Sequence, residues 1–354
     1  MTFRIFGAPH LYVQGEGALN NLPSIAAEYG KRPLIVADAV VTDLFADRLR
    51  ELFGDVAVVF AEFGGECTAA EIDRISAKVK SANANVVIGM GGGKAIDTAK
   101  GVRIALDLPI IIVPTIASND SPTSRLAVLY TNDHVLSEVR LMSTNPDAVI
   151  VDTALIVGAP VRFFVAGIGD ALSKCFEVRQ CAEAGGKNFF GGHPTQLALS
   201  IAQSCFEIIR SKGRTAVGDV SAHRVSPEVE DVVEACVLLS GLSFESGGLS
   251  IAHSLTRGFS SIEGISRTLH GEQVAFGLLV QLALEENGRS VLGELLDFYG
   301  EVGLPTSIEG LGGSRSHWER ISEVTVETAP YIVNFERSLD AQDIVNAFRR
   351  LSEI

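Results

Sequence analysis

Three residues, at positions 170, 253 and 270, have the chemical types of a metal site. They are Asp170 in Gly167-Ile168-Gly169-Asp170, His253 at the end of Gly247-Gly248-Leu249-Ser250-Ile251-Ala252-His253, and His270 in Leu269-His270-Gly271-Glu272. One carboxylate and two imidazoles suit a divalent cation that keeps an open position for a substrate. The three are far apart in sequence, so no local motif forces them together. Taken singly, each His reads as a hydrogen-bonded structural residue. The remaining histidines, His10, His134, His193, His223 and His317, have less to recommend them.

A second feature is Gly89-Met90-Gly91-Gly92-Gly93-Lys94, which follows a strand-like run and opens a helix-like segment over 95–105. Glycine lets a backbone approach a pyrophosphate closely, and a helix N-terminus supplies unpaired N–H donors and a positive dipole end. The pattern points to a phosphate cradle; the plainer reading is a tight strand-to-helix turn. A Walker A loop requires Ser or Thr after its Lys, where Ala95 stands. The Rossmann G-x-G-x-x-G counted from Gly89 requires glycine where Lys94 stands. The best acidic candidate for a ribose is Asp38, which ends a strand upstream of the loop. A carboxylate there accepts hydrogen bonds from a ribose diol and repels a 2′-phosphate, which favours NAD over NADP. Its alternative role is a helix cap.

The elements that must carry these residues follow from periodicity. Runs at 32–38, 55–63, 85–89, 108–114 and 148–151 are short, rich in Val and Ile, and bounded by turn residues, as buried strands are. Between them, 68–82 places Ile72, Ile75 and Val79 on one helical stripe, opened by a capping box of Thr68 and Glu71. Such alternation predicts an α/β domain with a parallel sheet covered on both faces. Beyond about residue 160 the strand-like runs stop. Helical periodicity takes over at 170–183, 194–211, 227–245, 247–260, 270–286 and 341–353. This predicts an all-α second domain, with domains at 1–159 and 160–354.

Composition narrows the function. A chain of 354 residues exceeds one usual compact core, and 47% hydrophobic against 20% charged residues excludes global disorder. The 43 acidic and 29 basic residues give a net charge of −14, which repels phosphate backbones and anionic lipid. Neither a nucleic-acid nor a membrane partner is expected. Five cysteines without a CxxC pair read as reduced thiols, and no signal-peptide pattern or long apolar run appears. The expected location is the cytoplasm.

Several long motifs in order, GMGGGKAIDTAK (89–100), PTIASNDSPTSRLAVLYT (114–131), AGIGDALSKCFE (166–177), SGLSFESGGLSIAH (240–253) and LHGEQVAFG (269–277), carry a resemblance over most of the chain. It resembles the glycerol dehydrogenases of the iron-containing alcohol dehydrogenase superfamily. The resemblance implies a dehydroquinate synthase-like fold with the active site in the cleft between the α/β and helical domains. It also implies that Asp170, His253 and His270 are zinc ligands, in a site that accepts Fe²⁺ as well. Asp38, Gly93, Lys94, Ala95, Ile96, Asp97, Thr115, Ile116, Ala117, Ser118, Ser124, Leu126 and Tyr130 are the implied NAD contacts. Asp120 is implied to touch the polyol and, with the three metal ligands, to make up the catalytic and substrate-binding set. The implied reaction is oxidation of glycerol, or a related vicinal diol, to dihydroxyacetone or its analogue, by hydride transfer from a zinc-held alkoxide. The family is typically homo-oligomeric, often octameric.

Two departures stand out. Arg125 follows Ser124 where a small residue is usual, and Thr268-Leu269 precede His270 where aromatic residues are common; the segment 303–340 matches least. Arg125 opens an alternative in which the same fold acts on a hydroxy acid or a phosphorylated polyol. Asp120 would oppose an acid substrate by like-charge repulsion. A catalytically silent NAD-binding protein would be expected to lack a metal ligand, yet all three positions are filled.

Overall fold

The computed structural model describes residues 3–133, 135–286 and 288–354; His134, one of the histidines considered above, lies outside the described residues. Eight strands occur among the described residues: β1 (Leu11–Gly15), β2 (Pro33–Ala37), β3 (Val59–Glu62), β4 (Val86–Gly91), β5 (Ile110–Pro114), β6 (Leu126–Tyr130), β7 (Leu136–Leu141) and β8 (Ala148–Asp152). Helices α1 (Leu22–Tyr29), α2 (Ala39–Phe53), α3 (Ala69–Ser81) and α4 (Gly93–Leu106) alternate with the first five strands. After β8 the described chain is helical: α5 (Thr153–Gly158), α6 (Val161–Glu183), α7 (Gln196–Ser221), α8 (Pro227–Glu234), α9 (Ser240–Gly247), α10 (Ile251–Ser260), α11 (Glu263–Ser266), α12 (His270–Leu284), α13 (Arg289–Val302), α14 (Trp318–Thr328) and α15 (Ala341–Leu351).

Six strands form one sheet in the order β1-β8-β5-β4-β2-β3, with every pairing parallel. The inner strands β2, β4, β5 and β8 are buried along their whole length, which explains their unbroken apolar sequences. Alternate residues of one strand serve opposite layers. Ile35 and Ala37 pack with α1 and α2, whereas Leu34 and Val36 join Ile72, Ile75 and Val79 of α3. That second layer runs on into the core of the helical half. β6 and β7 form a separate antiparallel hairpin.

The structure refines the boundaries read from the sequence. The run 55–63 yields a strand only at Val59–Glu62, and helix 170–183 is the C-terminal part of the longer α6. The Thr68 hydroxyl accepts from the Glu71 N–H at 3.1 Å, but Glu71 turns its carboxylate to the Gly64 N–H and to Arg74, so only half of the capping box forms. The expected helix 247–260 breaks before Ile251, and the stretches on either side of the break meet at 98°. No single helix among the described residues is long and apolar enough to cross a membrane.

The sheet meets the helical half at Gly167 of α6. A Cβ there would stand 1.9 Å from the carbonyl oxygen of Ala117, in the loop after β5. Only a hydrogen side chain permits that approach. Gly167→Ala is expected to lower stability by about 1–3 kcal/mol through overpacking. Urea unfolding checks this, and an unchanged midpoint at an unchanged slope would refute the close contact.

Candidate active site

The C-terminal ends of β2, β4 and β5 gather the residues singled out around the glycine run. Gly91 adopts a φ of 145°, which a side chain would strain, and turns the chain from β4 into α4. Gly92 is the N-cap of α4 and makes no side-chain capping bond. Asp38, at the end of the neighbouring β2, caps α2 through Oδ1, which accepts from the Val41 N–H at 2.8 Å. Its Oδ2 faces Gly91, 4.0 Å from where a Cβ would stand. The cap reading of Asp38 therefore holds for one oxygen, and the other looks onto the glycine turn.

Thr115 donates its N–H to the Gly91 carbonyl at 3.1 Å, and Ile116 packs beside Gly92. Ala117 and Ser118 lie against Gly167, and the side chain of Asn119 sits beside Gly93. Lys94 is exposed, bonds Glu66 at 2.7 Å, and lies over the Tyr130 ring at 5.1 Å. Ala95 and Ile96 are buried beneath the turn. Asp97, Ser124 and Leu126 instead face the interior. Asp97 accepts from the Ser121 hydroxyl at 2.6 Å and from the Val128 N–H at 3.1 Å. Lys100, fully buried, donates to the carbonyls of Ser121 and Leu126 at 2.6 and 2.7 Å and approaches the Ser124 hydroxyl at 3.3 Å. Together these bonds fasten the 119–128 segment onto α4.

Asp170, His253 and His270 converge from three helices. Asp170 lies within α6, His253 in the first turn of α10, and His270 is the first residue of α12. One potential ligand atom from each lies within 4.8 Å of the others, slightly wider than a cation bonded at about 2.0–2.2 Å needs. Asp170 and His253 are buried, and His270 is exposed. Asp170 Oδ1 accepts from Lys174 at 2.6 Å and is 3.3 Å from His253 Nε2; Oδ2 is buried with no hydrogen-bond partner. A buried carboxylate oxygen without a partner is costly, and a cation at that point would satisfy it. The donor set fits a divalent metal.

Two further residues shape this centre. Glu177 Oε2 is 2.5 Å from His253 Nδ1, while its Oε1 accepts from the N–H groups of Ser250 and His253, both at 2.9 Å. One buried carboxylate thus orients the imidazole and caps α10, restarting the helix after the break at Gly248, whose φ is 89°. Holding Nδ1–H on Glu177 directs Nε2 toward Asp170. Lys174, also fully buried, places Nζ 3.0 Å from Asp120 Oδ2 and 3.2 Å from His253 Nε2. Asp120 thereby joins Asp170, His253 and His270 through an ammonium, with a weaker bond from the Ser240 hydroxyl at 3.4 Å.

Charge dominates here. Burial would raise the Asp170 pKa, but Lys174, His253 and His270 hold it well below the usual carboxylate range. Burial would lower the Lys174 pKa, but Asp120 and Asp170 carry it above its ordinary value. Burial opposes protonation of His253 too, yet Glu177 and Asp170 push it up to about 9. Lys174 and Glu177 escape a reading by residue type alone. Their spacing is the signal that reveals them: Asp170, Lys174 and Glu177 are i, i+4 and i+7, one face of one helix.

Arg125 does not reach into this cleft as a free cation. Its guanidinium donates to the Phe189 carbonyl at 2.6 Å, stacks over Phe190 at 4.3 Å, and lies 3.6 Å from buried Glu245. The other described histidines make structural contacts: His10 with Tyr29, His193 with the Gly186 carbonyl, His223 with the Val157 carbonyl, and His317 with Ser314. The five cysteines form no disulfide.

A family model described as iron-containing alcohol dehydrogenase matches residues 9–153. The glycerol dehydrogenase of Thermotoga maritima is 39% identical over 353 residues, covering 99% of this chain and 96% of that protein. The glycolaldehyde reductase of Halobacterium salinarum is 38% identical over 310 residues, covering 87% of this chain and 85% of that protein. Among solved structures, a probable glycerol dehydrogenase from Sinorhizobium meliloti matches with a TM-score of 0.94 and 37% identity, covering 99% of both chains.

Removal of the Glu177 carboxylate would strand two backbone N–H groups and the buried imidazole. Glu177→Ala is expected to destabilise the metal-free protein by about 3–5 kcal/mol. Glu177→Gln, which keeps an acceptor, should lose distinctly less. Denaturant unfolding of both variants checks the order; equal losses would show that the carboxylate's bonds do not hold α10.

Proposed function

The chain belongs to the iron-containing alcohol dehydrogenase family, and we propose that it is an NAD-dependent, zinc-dependent glycerol dehydrogenase. Its reaction on this reading converts glycerol, or a related vicinal diol, to the hydroxyketone, dihydroxyacetone in the case of glycerol. The observation that carries the proposal is the convergence of Asp170, His253 and His270 around a buried, partnerless carboxylate oxygen, with Asp120 beside them. The full-length likeness to a glycerol dehydrogenase supports the substrate class. So does the likeness to a glycolaldehyde reductase, because glycolaldehyde is a hydroxycarbonyl whose reduction gives a vicinal diol.

In this mechanism Asp170, His253 and His270 would hold the metal. A divalent cation so held supplies Lewis acidity, easing loss of a hydroxyl proton in one direction and polarising a ketone in the other. NAD, held by the residues that follow, would supply the hydride acceptor. The α4 N-terminus would receive the pyrophosphate on the N–H groups of Gly93, Lys94 and Ala95 and on the helix dipole, with Ile96 buried beneath it. Asp38 Oδ2 would take the ribose diol. Thr115 through Ser118 and Tyr130 would line the coenzyme's path, with Ser124, Leu126 and Asp97 acting from behind it to fix the loop. Asp120 would accept a hydrogen bond from a second substrate hydroxyl, so a polyol would be oriented better than a monoalcohol. We place the coenzyme in domain 1–159 and the metal in domain 160–354, of a cytoplasmic homo-oligomer.

The rival reading, a hydroxy acid substrate, needs a free cation in the cleft. Arg125 is committed to Phe189, Phe190 and Glu245, and Lys174 to two carboxylates. The charge of Asp120, shared with Lys174, is a weaker objection to an acid than it looked from sequence, but no uncommitted cation replaces Arg125 in that role among these residues.

A substrate panel on metal-analysed protein is the decisive experiment. Chelation should abolish NAD reduction in glycerol, and Zn²⁺ should restore it. Asp170→Asn should cut turnover by more than about a hundredfold, since even outer partners of metal ligands typically cost 10–100-fold. Its affinity for NAD should stay near native. Activity that survives chelation, or a 2-oxo acid reduced faster than dihydroxyacetone, would reverse the proposal. Asp38→Ser keeps a capping oxygen and removes the charge. The preference for NAD over NADP, as a ratio of kcat/KM values, should fall roughly tenfold or more, because like-charge contacts cost several kcal/mol. A constant ratio would take Asp38 away from the ribose.

A further inference from the structure

Lys174 is the least expected group in the centre. An ammonium is fully buried among the residues that would hold a divalent cation, with Nζ 2.6 Å from Asp170, 3.0 Å from Asp120 and 3.2 Å from His253 Nε2. Like charges should not be placed side by side without compensation, and here the compensation is visible. Asp120, Asp170 and Glu177 bring three carboxylates to one pocket, and Lys174 touches two of them. The Asp170 carboxylate is also divided. Oδ1 belongs to Lys174, whereas Oδ2 has no partner and is left for the ion.

Asp120 is the other consequence. It comes from the loop after β5, yet it is drawn to the trio, and the shorter of the two bonds on its Oδ2 is to Nζ, the other coming from the Ser240 hydroxyl. Without the ammonium, Asp120 would stand beside the ion as a second carboxylate and a fourth candidate ligand, and carboxylate oxygens are competent zinc ligands. A catalytic metal needs the opposite: three protein ligands and one position left for substrate.

Building on the zinc reading above, we propose that Lys174 keeps the metal centre open, holding Asp120 as a substrate-binding group and out of the coordination sphere. Lys174 is a positioning residue in this role. It trades metal affinity for an unfilled position, because a fixed positive charge a few ångströms away weakens binding of a second cation. Its ammonium also supplies the only direct charge link seen between Asp120 and Asp170 among the described residues.

The experiment is a competition titration of metal-free protein with Zn²⁺ against a chromophoric chelator, which reads affinity independently of activity. Lys174→Gln keeps hydrogen-bond donors in the pocket while removing the charge, and Lys174→Met removes both; if one fails to fold, the other carries the test. Either should bind Zn²⁺ at least about tenfold more tightly than the native chain. Asp120→Asn should change affinity little in the native background and cancel most of the gain in the Lys174→Gln background, a non-additivity read by a double-mutant cycle. Unchanged or weaker binding in both Lys174 variants would overturn this role while leaving the zinc dehydrogenase reading intact. An equal effect of Asp120→Asn in both backgrounds would overturn the claim about Asp120. A native chain that binds no Zn²⁺ would defeat the functional reading itself, and this inference with it.

Discussion

A charge buried without a partner costs several kcal/mol, and helix α6 carries three on one face: Asp170, Lys174 and Glu177. Much of the centre's architecture can be read as the means of satisfying them. Glu177 requires donors, and the first turn of α10 delivers two backbone N–H groups and an imidazole. Lys174 requires acceptors, and the loop after β5 delivers Asp120. Asp170 is served on one oxygen only. The remaining deficit points to an ion. Stability and chemistry thus share the same few atoms, and the helical half is tied to the α/β half by electrostatics as well as by packing.

The glycine turn after β4 is supported in a different way. Its backbone turns at Gly91, and the surrounding segment is pinned from behind by Lys100 and Asp97, both buried and both bonded to the 119–128 stretch. Rigid support beneath a largely buried loop lets small groups such as Thr115 and Ser118 keep their places. It also explains why some residues close to the loop in sequence face inward. Asp97 and Ser124 serve the scaffold on which the outward-facing residues depend.

Much of the fold was legible in the sequence because buried parallel strands leave a plain trace: unbroken apolar runs separated by stripes of period 3.6. The inner strands β2, β4, β5 and β8 and the stripe of α3 followed from that alone. Edges were harder. β3 begins later than its apolar run, and the helix expected across 247–260 stops at Gly248 and restarts at Ile251, its new start capped by Glu177, a residue some seventy positions away whose bonds no local pattern announces. The same holds for the site. Asp170, His253 and His270 had suitable chemistry, yet nothing in their spacing required them to meet, and long motifs taken together supplied what spacing did not. Lys174 and Glu177 were visible only as positions on a helix face. Arg125 showed the reverse case: a charge that looked available from sequence is spent on an aromatic ring, a carbonyl and a buried acid.

The divided duty of Asp38 has an evolutionary side. One oxygen closes the start of α2 and the other looks toward the glycine turn, so on the proposed reading a single codon would govern both how firmly that helix begins and which coenzyme the pocket takes. Drift at this position is therefore channelled. Replacements that lack a side-chain acceptor forfeit about 1 kcal/mol of helix capping whatever they do to the coenzyme. On the proposed reading, the mutational routes to a new coenzyme preference would run through the few small polar residues able to keep the cap.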